Sequence, residues 1–263
     1  NNCGLCKSVC PMENTPTSMS SEVCYAAWSL DKNVRLSSAS GGIATEFYRY
    51  AAKNGFYFVG VKMNNNFEAV YSIEANEWRN FQNSKYVYAD ASNIYEQIRK
   101  KLIIGKTVLF VGLPCQIAGI KNYLKTLKCS TENLLMIDLI CHGVTPPDYL
   151  KSHIRNIEKK CKERATEVCF RDPEAYTYTY TFTLKNAIRT FYSKKVHRND
   201  VYQLAYHKGI AYRENCYNCK FANETRLGDI TLSDFAGVGS ITKCEYDNKN
   251  VSCILVNTEK GKL

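Results

Sequence analysis

Four cysteines set in three short motifs constrain this chain more than any other feature. They are Cys115 in Val111-Gly112-Leu113-Pro114-Cys115-Gln116, Cys141 in Asp138-Leu139-Ile140-Cys141-His142-Gly143, and the pair in Cys216-Tyr217-Asn218-Cys219. The first two each follow a short apolar run, Thr107 to Val111 and Leu134 to Ile140, whose length and content predict buried strands. Neighbouring strands that end in cysteine can set two thiolates side by side, and a C-x2-C loop can add two more. Four converging sulfurs are what a 4Fe-4S cluster or a structural zinc requires. A fold that satisfies this pattern must bring two strand ends and a loop far along the chain to one place.

The N-terminus carries a related pattern. Cys3-Gly4-Leu5-Cys6-Lys7-Ser8-Val9-Cys10-Pro11 matches the last three cysteines of the ferredoxin run C-x2-C-x2-C-x3-C-P. The expected first cysteine would fall just before Asn1, so the chain reads as cut within a ferredoxin-like module. Cys3, Cys6 and Cys10 then need a fourth ligand from elsewhere. A redox-inert loop or zinc knuckle is the alternative reading, which the cysteine spacing and the Cys-Pro step disfavour.

Thirteen cysteines in 263 residues would suggest disulfides in a secreted protein, but those scaffolds are usually much shorter. The chain opens with no basic segment leading into an apolar stretch. Nor does any apolar run approach the roughly 18 residues of a membrane helix. These features predict a soluble protein of a reducing, cytoplasmic compartment, without a membrane span. Its cysteines are then ligands, plus small buried hydrophobes such as Cys169 and Cys253. The net charge of +10 is spread along the chain, in pairs such as Lys100-Lys101, Lys159-Lys160 and Lys194-Lys195. Without a long basic block this is a solvated surface rather than a nucleic-acid footprint. It also suits an acidic electron carrier such as ferredoxin, or an anionic cofactor.

With 45% hydrophobic residues the chain can build one large core or two smaller ones. Residues 12–36 read as a polar linker, dividing a ferredoxin-like segment (1–36) from a catalytic body (37–263). The body opens on Ser37-Ser38-Ala39-Ser40-Gly41-Gly42, with Ser40 as N-cap of a helix over 43–54. Strands follow at 56–62 and 68–73 around an Asn64-Asn65-Asn66 turn, then a helix at 92–104. Strand 107–111 leads into helix 116–127, and strand 134–140 into helix 148–163. This alternation predicts an α/β core, a mostly parallel sheet with helices on its faces. It sets Cys115 and Cys141 at strand C-terminal ends, where open α/β sheets bind ligands. Beyond residue 165 an appended antiparallel hairpin is expected. Its strands fall at 167–171, 176–182 and 188–192, with Tyr176, Tyr178 and Tyr180 on one face and threonines on the other. A helix at 199–207 precedes the C-x2-C loop.

A lone C-x2-C is ambiguous among iron–sulfur, zinc and thiol–disulfide chemistry. Here it follows a helix, whereas a thioredoxin-like motif opens one, and a ferredoxin-type motif already stands at the N-terminus. Iron is therefore favoured, with zinc left open.

The sequence resembles the coenzyme F420 hydrogenase/dehydrogenase beta-subunit family of iron–sulfur flavoproteins. The resemblance runs through Ser37–Gly42, Ser84-Lys85-Tyr86-Val87, Phe110–Gly119, Asp138–Val144, Phe170-Arg171-Asp172, Cys216–Ala222 and Gly228–Phe235. Two positions depart from the family pattern: Leu113 before Pro-Cys, and Ser233 where glycine is usual. The resemblance implies an FAD-binding α/β body and a 4Fe-4S cluster on Cys115, Cys141, Cys216 and Cys219. It implies that Ser38, Ser40, Gly41, Gly42 and Lys85 approach FAD. Gln116, His142 and Asp229 are weaker candidates for shaping the flavin or cluster surroundings, and His142 has a turn-capping role as its alternative.

The implied function is an oxidoreductase passing electrons between a ferredoxin-type carrier, the cluster, FAD and an organic small-molecule substrate. No residue marks a deazaflavin pocket or identifies the catalytic groups. Two alternatives belong to other classes: a non-catalytic electron-transfer or zinc-stabilised docking scaffold, and a thiol–disulfide reductase using Cys216 and Cys219.

Overall fold

The structure is a computed structural model that describes residues 3–196, 200–240 and 250–262. Its helices are α1 (Leu5–Val9), α2 (Lys32–Ser37), α3 (Ile43–Lys53), α4 (Ser92–Ile103), α5 (Pro114–Thr126), α6 (Pro147–Cys161), α7 (Val201–His207), α8 (Glu214–Tyr217) and α9 (Glu259–Lys262). The first six strands are β1 (Val23–Ala27), β2 (Tyr57–Met63), β3 (Ala69–Glu74), β4 (Ala89–Asp90), β5 (Val108–Gly112) and β6 (Leu134–Leu139). The remaining strands are β7 (Glu167–Cys169), β8 (Thr181–Lys185), β9 (Thr190–Lys195), β10 (Ile230–Asp234) and β11 (Ser252–Val256).

Among the described residues, eight strands form one sheet in the order β1-β11-β10-β6-β5-β2-β3-β4. Its central run β10-β6-β5-β2 is parallel, with Thr231 opposite Asp138, Val111 opposite Ile137 and Phe58 opposite Leu109. Both faces are covered. Val108 and Phe110 pack against Ile94 and Ile98 of α4 and Ile117 and Leu124 of α5. Leu109 and Val111 point the other way, into a cluster with Tyr48 and Ala51 of α3. A strand buried on both sides has no solvent face to mark with polar residues, which is why β5 is apolar throughout. The expected α/β class and central parallel sheet are both present.

The second sheet, β7-β8-β9, is antiparallel. Helix α6 turns Leu150, Ile154 and Ile157 toward it, one apolar stripe at helical spacing that meets Phe170, Phe182 and Leu184. Buried Asp200 then caps α7 through Gln203 N–H at 2.8 Å and accepts from Tyr192 Oη at 2.8 Å. Residue 199, the expected start of this helix, lies outside the described residues.

Several sequence expectations are corrected. The stretch read as linker supplies an edge strand, since β1 pairs antiparallel with β11. The Tyr176–Tyr180 stretch is not a strand: after a 3-10 turn at Pro173–Ala175 it forms a second at Thr177–Thr179, and β8 begins only at Thr181. Asp172 accepts from Glu174 N–H at 3.0 Å, and Thr179 Oγ1 donates to the carbonyls of Ala175 and Tyr176, both at 2.8 Å. These local side-chain bonds compete with the ladder and override an alternation that favours strand. Helix α3 is capped by Gly42, at φ 86°, rather than Ser40. Cys169 and Cys253 are only partly buried. No helix among the described residues is long and apolar enough to cross a membrane.

Candidate functional site

The parallel run fixes which ends of the strands lie together. β5 ends at Gly112, β6 at Leu139 and β10 at Asp234, all on one edge. The antiparallel register of β11 with β1 and β10 brings Ser252 and Ala27 to that edge as well. Cys115, Cys141 and the Ser38–Gly42 loop therefore share one end of the sheet, the end where α/β proteins bind ligands.

Cys115 sits in the first turn of α5, begun by Pro114, whose fixed φ suits that position. Gln116 brackets the turn. Its Oε1 accepts from Leu113 N–H at 2.9 Å and from Tyr71 Oη, and its Nε2 donates to the Ala89 carbonyl at 2.9 Å. Buried Gln116 is thus committed within the protein and holds the cysteine's turn against β3 and β4.

Cys141 lies just beyond β6, and Gly143 follows at φ 137°. A Cβ on Gly143 would stand 2.6 Å from the Tyr212 ring, so glycine meets both a backbone and a space requirement. Arg213 N–H donates to the Val144 carbonyl at 2.8 Å, and Cys216 N–H to the Arg213 carbonyl at 2.8 Å. These two bonds tie the Cys141 loop to the C-x2-C segment. His142, between Cys141 and Gly143, is exposed.

The four thiols are electrostatic neighbours. Burial, with Cys141, Cys219 and Cys216 adding to it, pushes the Cys115 thiol up to about 12. Burial likewise pushes Cys141 up to about 11, against lowering influences from the Gly143 backbone and, to a lesser extent, Arg226. Among the described residues no three His, Cys, Asp or Glu side chains close up as a site for a single metal ion. The quartet is gathered without its sulfurs being packed together.

The N-terminal cysteines approach the same place from another side. α1, which carries Cys6, packs on α5. Asn122 of α5 donates to the Asn14 carbonyl at 2.6 Å. Lys220, next to Cys219, donates to the Met12 carbonyl, two residues beyond Cys10. A crevice lined by Thr15, Pro16, Pro114 and Lys220 marks the seam.

The Ser38–Gly42 loop is tightly packed. Ser38 Oγ donates to the Val34 carbonyl at 2.7 Å, Ser40 and Ser252 share a hydroxyl bond at 2.8 Å, and Gly41 N–H donates to Ser252 Oγ at 3.0 Å. A Cβ on Gly41 would lie 2.4 Å from the Ala27 carbonyl oxygen, so backbone contact with β1 excludes a side chain there. Lys85 is close to the start of α3, since Gln82 Nε2 donates to Thr45 Oγ1 at 3.4 Å. Its Nζ donates to the carbonyls of Asn80, Gln82 and Asn83 at 3.4, 2.6 and 3.2 Å.

Burial pushes Lys85 down to about 7. An unfolded lysine holds its proton to about pH 10.4, so in the window from about 7 to 10 folding releases a proton and this group's contribution to stability rises with pH. The cost of burying the charge is fully present below that window. Wild type should therefore gain on Lys85→Met by up to about 1.4 kcal/mol per pH unit across it, read by urea unfolding. A pH-independent difference would mean that the carbonyl cage keeps Lys85 charged.

Asp229 lies elsewhere, at the start of β10. Its Oδ2 accepts from Met136 N–H at 2.9 Å and its Oδ1 from Thr258 Oγ1 at 2.9 Å, a clasp at the far end of the strand from the cysteines.

The family model for the C-terminal region of the coenzyme F420 hydrogenase/dehydrogenase beta subunit matches residues 105–263, from just before β5 through the whole quartet. The chain belongs to this family. Among solved structures it is similar to a chain of the F420-reducing NiFe hydrogenase complex from Methanosarcina barkeri, determined with xenon derivatization. That likeness has a TM-score of 0.60 at 15% identity and covers 94% of this chain and 78% of that one, which speaks to the fold. No curated protein is matched.

Two features of this beta-subunit relative were missed in sequence. Asp138, fully buried, pairs with Arg226 Nη2 at 3.2 Å and accepts from Thr231 Oγ1 and from Leu227 N–H at 3.3 Å. An acid inside an apolar strand signals a partner, but sequence does not say which cation supplies it. The second is Arg171, buried, which donates to Asp234 Oδ2 at 2.9 Å and to the Thr177 carbonyl at 2.8 Å. Its guanidinium lies 4.3 Å from the Tyr180 ring centre, and Tyr180 Oη donates to Asp234 at 3.2 Å. Asn83 Nδ2 donates to the Arg171 carbonyl at 2.7 Å, joining this cluster to the Lys85 segment. The Phe170-Arg171-Asp172 and Gly228–Phe235 stretches, quoted in sequence without a role for Arg171 or Asp234, are thus joined by an ion pair.

Proposed function

We propose that this chain is the cofactor-binding body of a redox enzyme. Cys115, Cys141, Cys216 and Cys219 hold one 4Fe-4S cluster, and FAD lies along the same sheet edge by the Ser38–Gly42 loop and Lys85. Electrons pass between a ferredoxin-type carrier and a small organic substrate. The observation that carries this reading is the arrival of four cysteines, from two strand ends and a distant turn, at the ligand-binding end of the parallel strands. The donor set fits: four thiols are the ligation a 4Fe-4S cluster takes. When bound, the cluster supplies single-electron steps and FAD the exchange with the substrate.

The chain's own residues do the rest. The Gln116 bracket fixes the direction of Cys115. Arg226, paired with Asp138, ties the end of the strand that leads to Cys141 to the segment after Cys219. Lys220 keeps the Cys10 segment beside Cys219 and so shortens the path from the N-terminal cysteines. Lys85 Nζ, its pKa lowered by burial and its position fixed by three carbonyls, sets a proton-bearing group near the start of α3. The net charge of +10 suits an acidic carrier.

The test is anaerobic reconstitution followed by flavin analysis and stopped-flow mixing with a reduced ferredoxin. FAD should be retained and become reduced in the wild type. In Cys141→Ala, FAD should be retained but stay oxidised. A protein that takes up zinc and no flavin would sink the proposal, as would equal flavin reduction in the two proteins.

A further inference from the structure

Two cysteines outside the quartet meet at the open edge of the sheet. The register sets Ala26 of β1 opposite Cys253 of β11 and Cys24 opposite Leu255. Cys24 and Cys253 are therefore diagonal neighbours on one face, where side chains of adjacent strands reach each other. Their sulfurs are 3.5 Å apart. Cys24 is exposed and Cys253 partly so. β1 is the outermost strand of the sheet among the described residues and is largely exposed along its length, so its neighbours restrain it on one side only.

We propose that Cys24 and Cys253 are a reversible dithiol–disulfide site, closed by a low-molecular-weight disulfide and reopened by a thiol reductant, which staples β1 to β11. A sulfur–sulfur bond of about 2.05 Å asks for side-chain rotation and a small shift of the edge strand, the element freest to supply it. Exposed Cys24 is the entry point. Its thiolate attacks one sulfur of the oxidant, forming a mixed disulfide and releasing one small thiol. The Cys253 thiolate then attacks the Cys24 sulfur and displaces the second. The protein gives up two electrons and two protons, and both end on the two small thiols. Burial and the neighbouring Cys24 push the Cys253 thiol up, which leaves the first attack to Cys24. Once Cys24 is in the mixed disulfide its own raising influence is gone, and the 3.5 Å separation of the sulfurs favours the resolving step.

The staple lies under the Ser38–Gly42 loop. Ser252, next to Cys253, holds Ser40 and Gly41, and Ala27 at the end of β1 packs against Gly41. Closing it fixes the floor of the Ser38–Gly42 loop. None of this depends on a cluster or a flavin being bound.

The test keeps the full chain anaerobic, as purified, and equilibrates it across ratios of reduced to oxidised glutathione. Samples are acid-quenched, alkylated and mapped by mass spectrometry. A peptide linking Cys24 to Cys253 should accumulate with oxidised glutathione and vanish with dithiothreitol. Cys253→Ser should instead trap glutathione on Cys24, and hydrogen exchange in β1 should slow by about tenfold in the linked form. The proposal is overturned if both thiols alkylate at every ratio, if wild type stops at glutathionylated Cys24, or if Cys24 pairs with another cysteine.

Discussion

Replacing Arg226 by methionine is expected to lower the unfolding free energy by about 3–5 kcal/mol, because it leaves the Asp138 carboxylate buried without its cation. Asp138 has no exposed surface and Arg226 almost none. The guanidinium does more than pair with it: Nη2 also donates to the Leu139 carbonyl at 3.4 Å, Nη1 to the Asn223 carbonyl at 3.3 Å, and Nε to Thr231 Oγ1 at 3.3 Å. One side chain thus joins the end of β6, the start of β10 and the segment after Cys219. The comparison that isolates the charge is the double variant Asp138→Asn with Arg226→Met. It should recover much of the loss, since no unpaired charge then remains. Urea unfolding of the metal-free chain reads both. A loss below about 1 kcal/mol in the single variant would mean that water reaches Asp138, the behaviour of a surface pair.

The second large effect concerns iron. Cys115→Ser should reduce iron in the reconstituted chain from about four per molecule to nearly none, because a 4Fe-4S cluster takes four thiolate ligands. Cys161→Ser and Cys129→Ser serve as controls and should keep the full complement, since Cys161 lies at the end of α6 and Cys129 beyond α5. Iron unchanged in Cys115→Ser, or lost equally in the controls, would detach the quartet from the metal.

Much of this was legible in sequence where local signals were strong and agreed with the tertiary setting. The runs ending at Val111 and Ile140 are apolar, but for Thr107 and Asp138, because both sheet faces are covered, and Pro114 before Cys115 and Gly143 after Cys141 mark the turns. Strand β1 escaped notice because an exposed edge strand of five residues has no buried face to impose alternation. The Tyr176–Tyr180 run misled for the opposite reason. It has the alternation, yet the Thr179 hydroxyl takes local carbonyls and Tyr176 and Tyr180 adopt positive φ. Partner choice is the deeper limit. Asp138 advertises a need for a cation, but that Arg226 meets it depends on how the chain returns from the C-x2-C turn to β10. Of the residues grouped around the site by resemblance, Gln116 and Gly41 lie at the expected edge, where their visible work is to brace it, and Asp229 lies at the other end of its strand.

The central claim is that Cys115, Cys141, Cys216 and Cys219 alone hold a complete cluster, with the N-terminal cysteines contributing none of its ligands. The direct measurement is iron and acid-labile sulfide, counted after anaerobic reconstitution of the Cys3→Ser, Cys6→Ser, Cys10→Ser triple variant. The account predicts about four of each per chain, as in a 4Fe-4S protein. Loss of iron and sulfide in that variant, or uptake of a single zinc in their place, would contradict it.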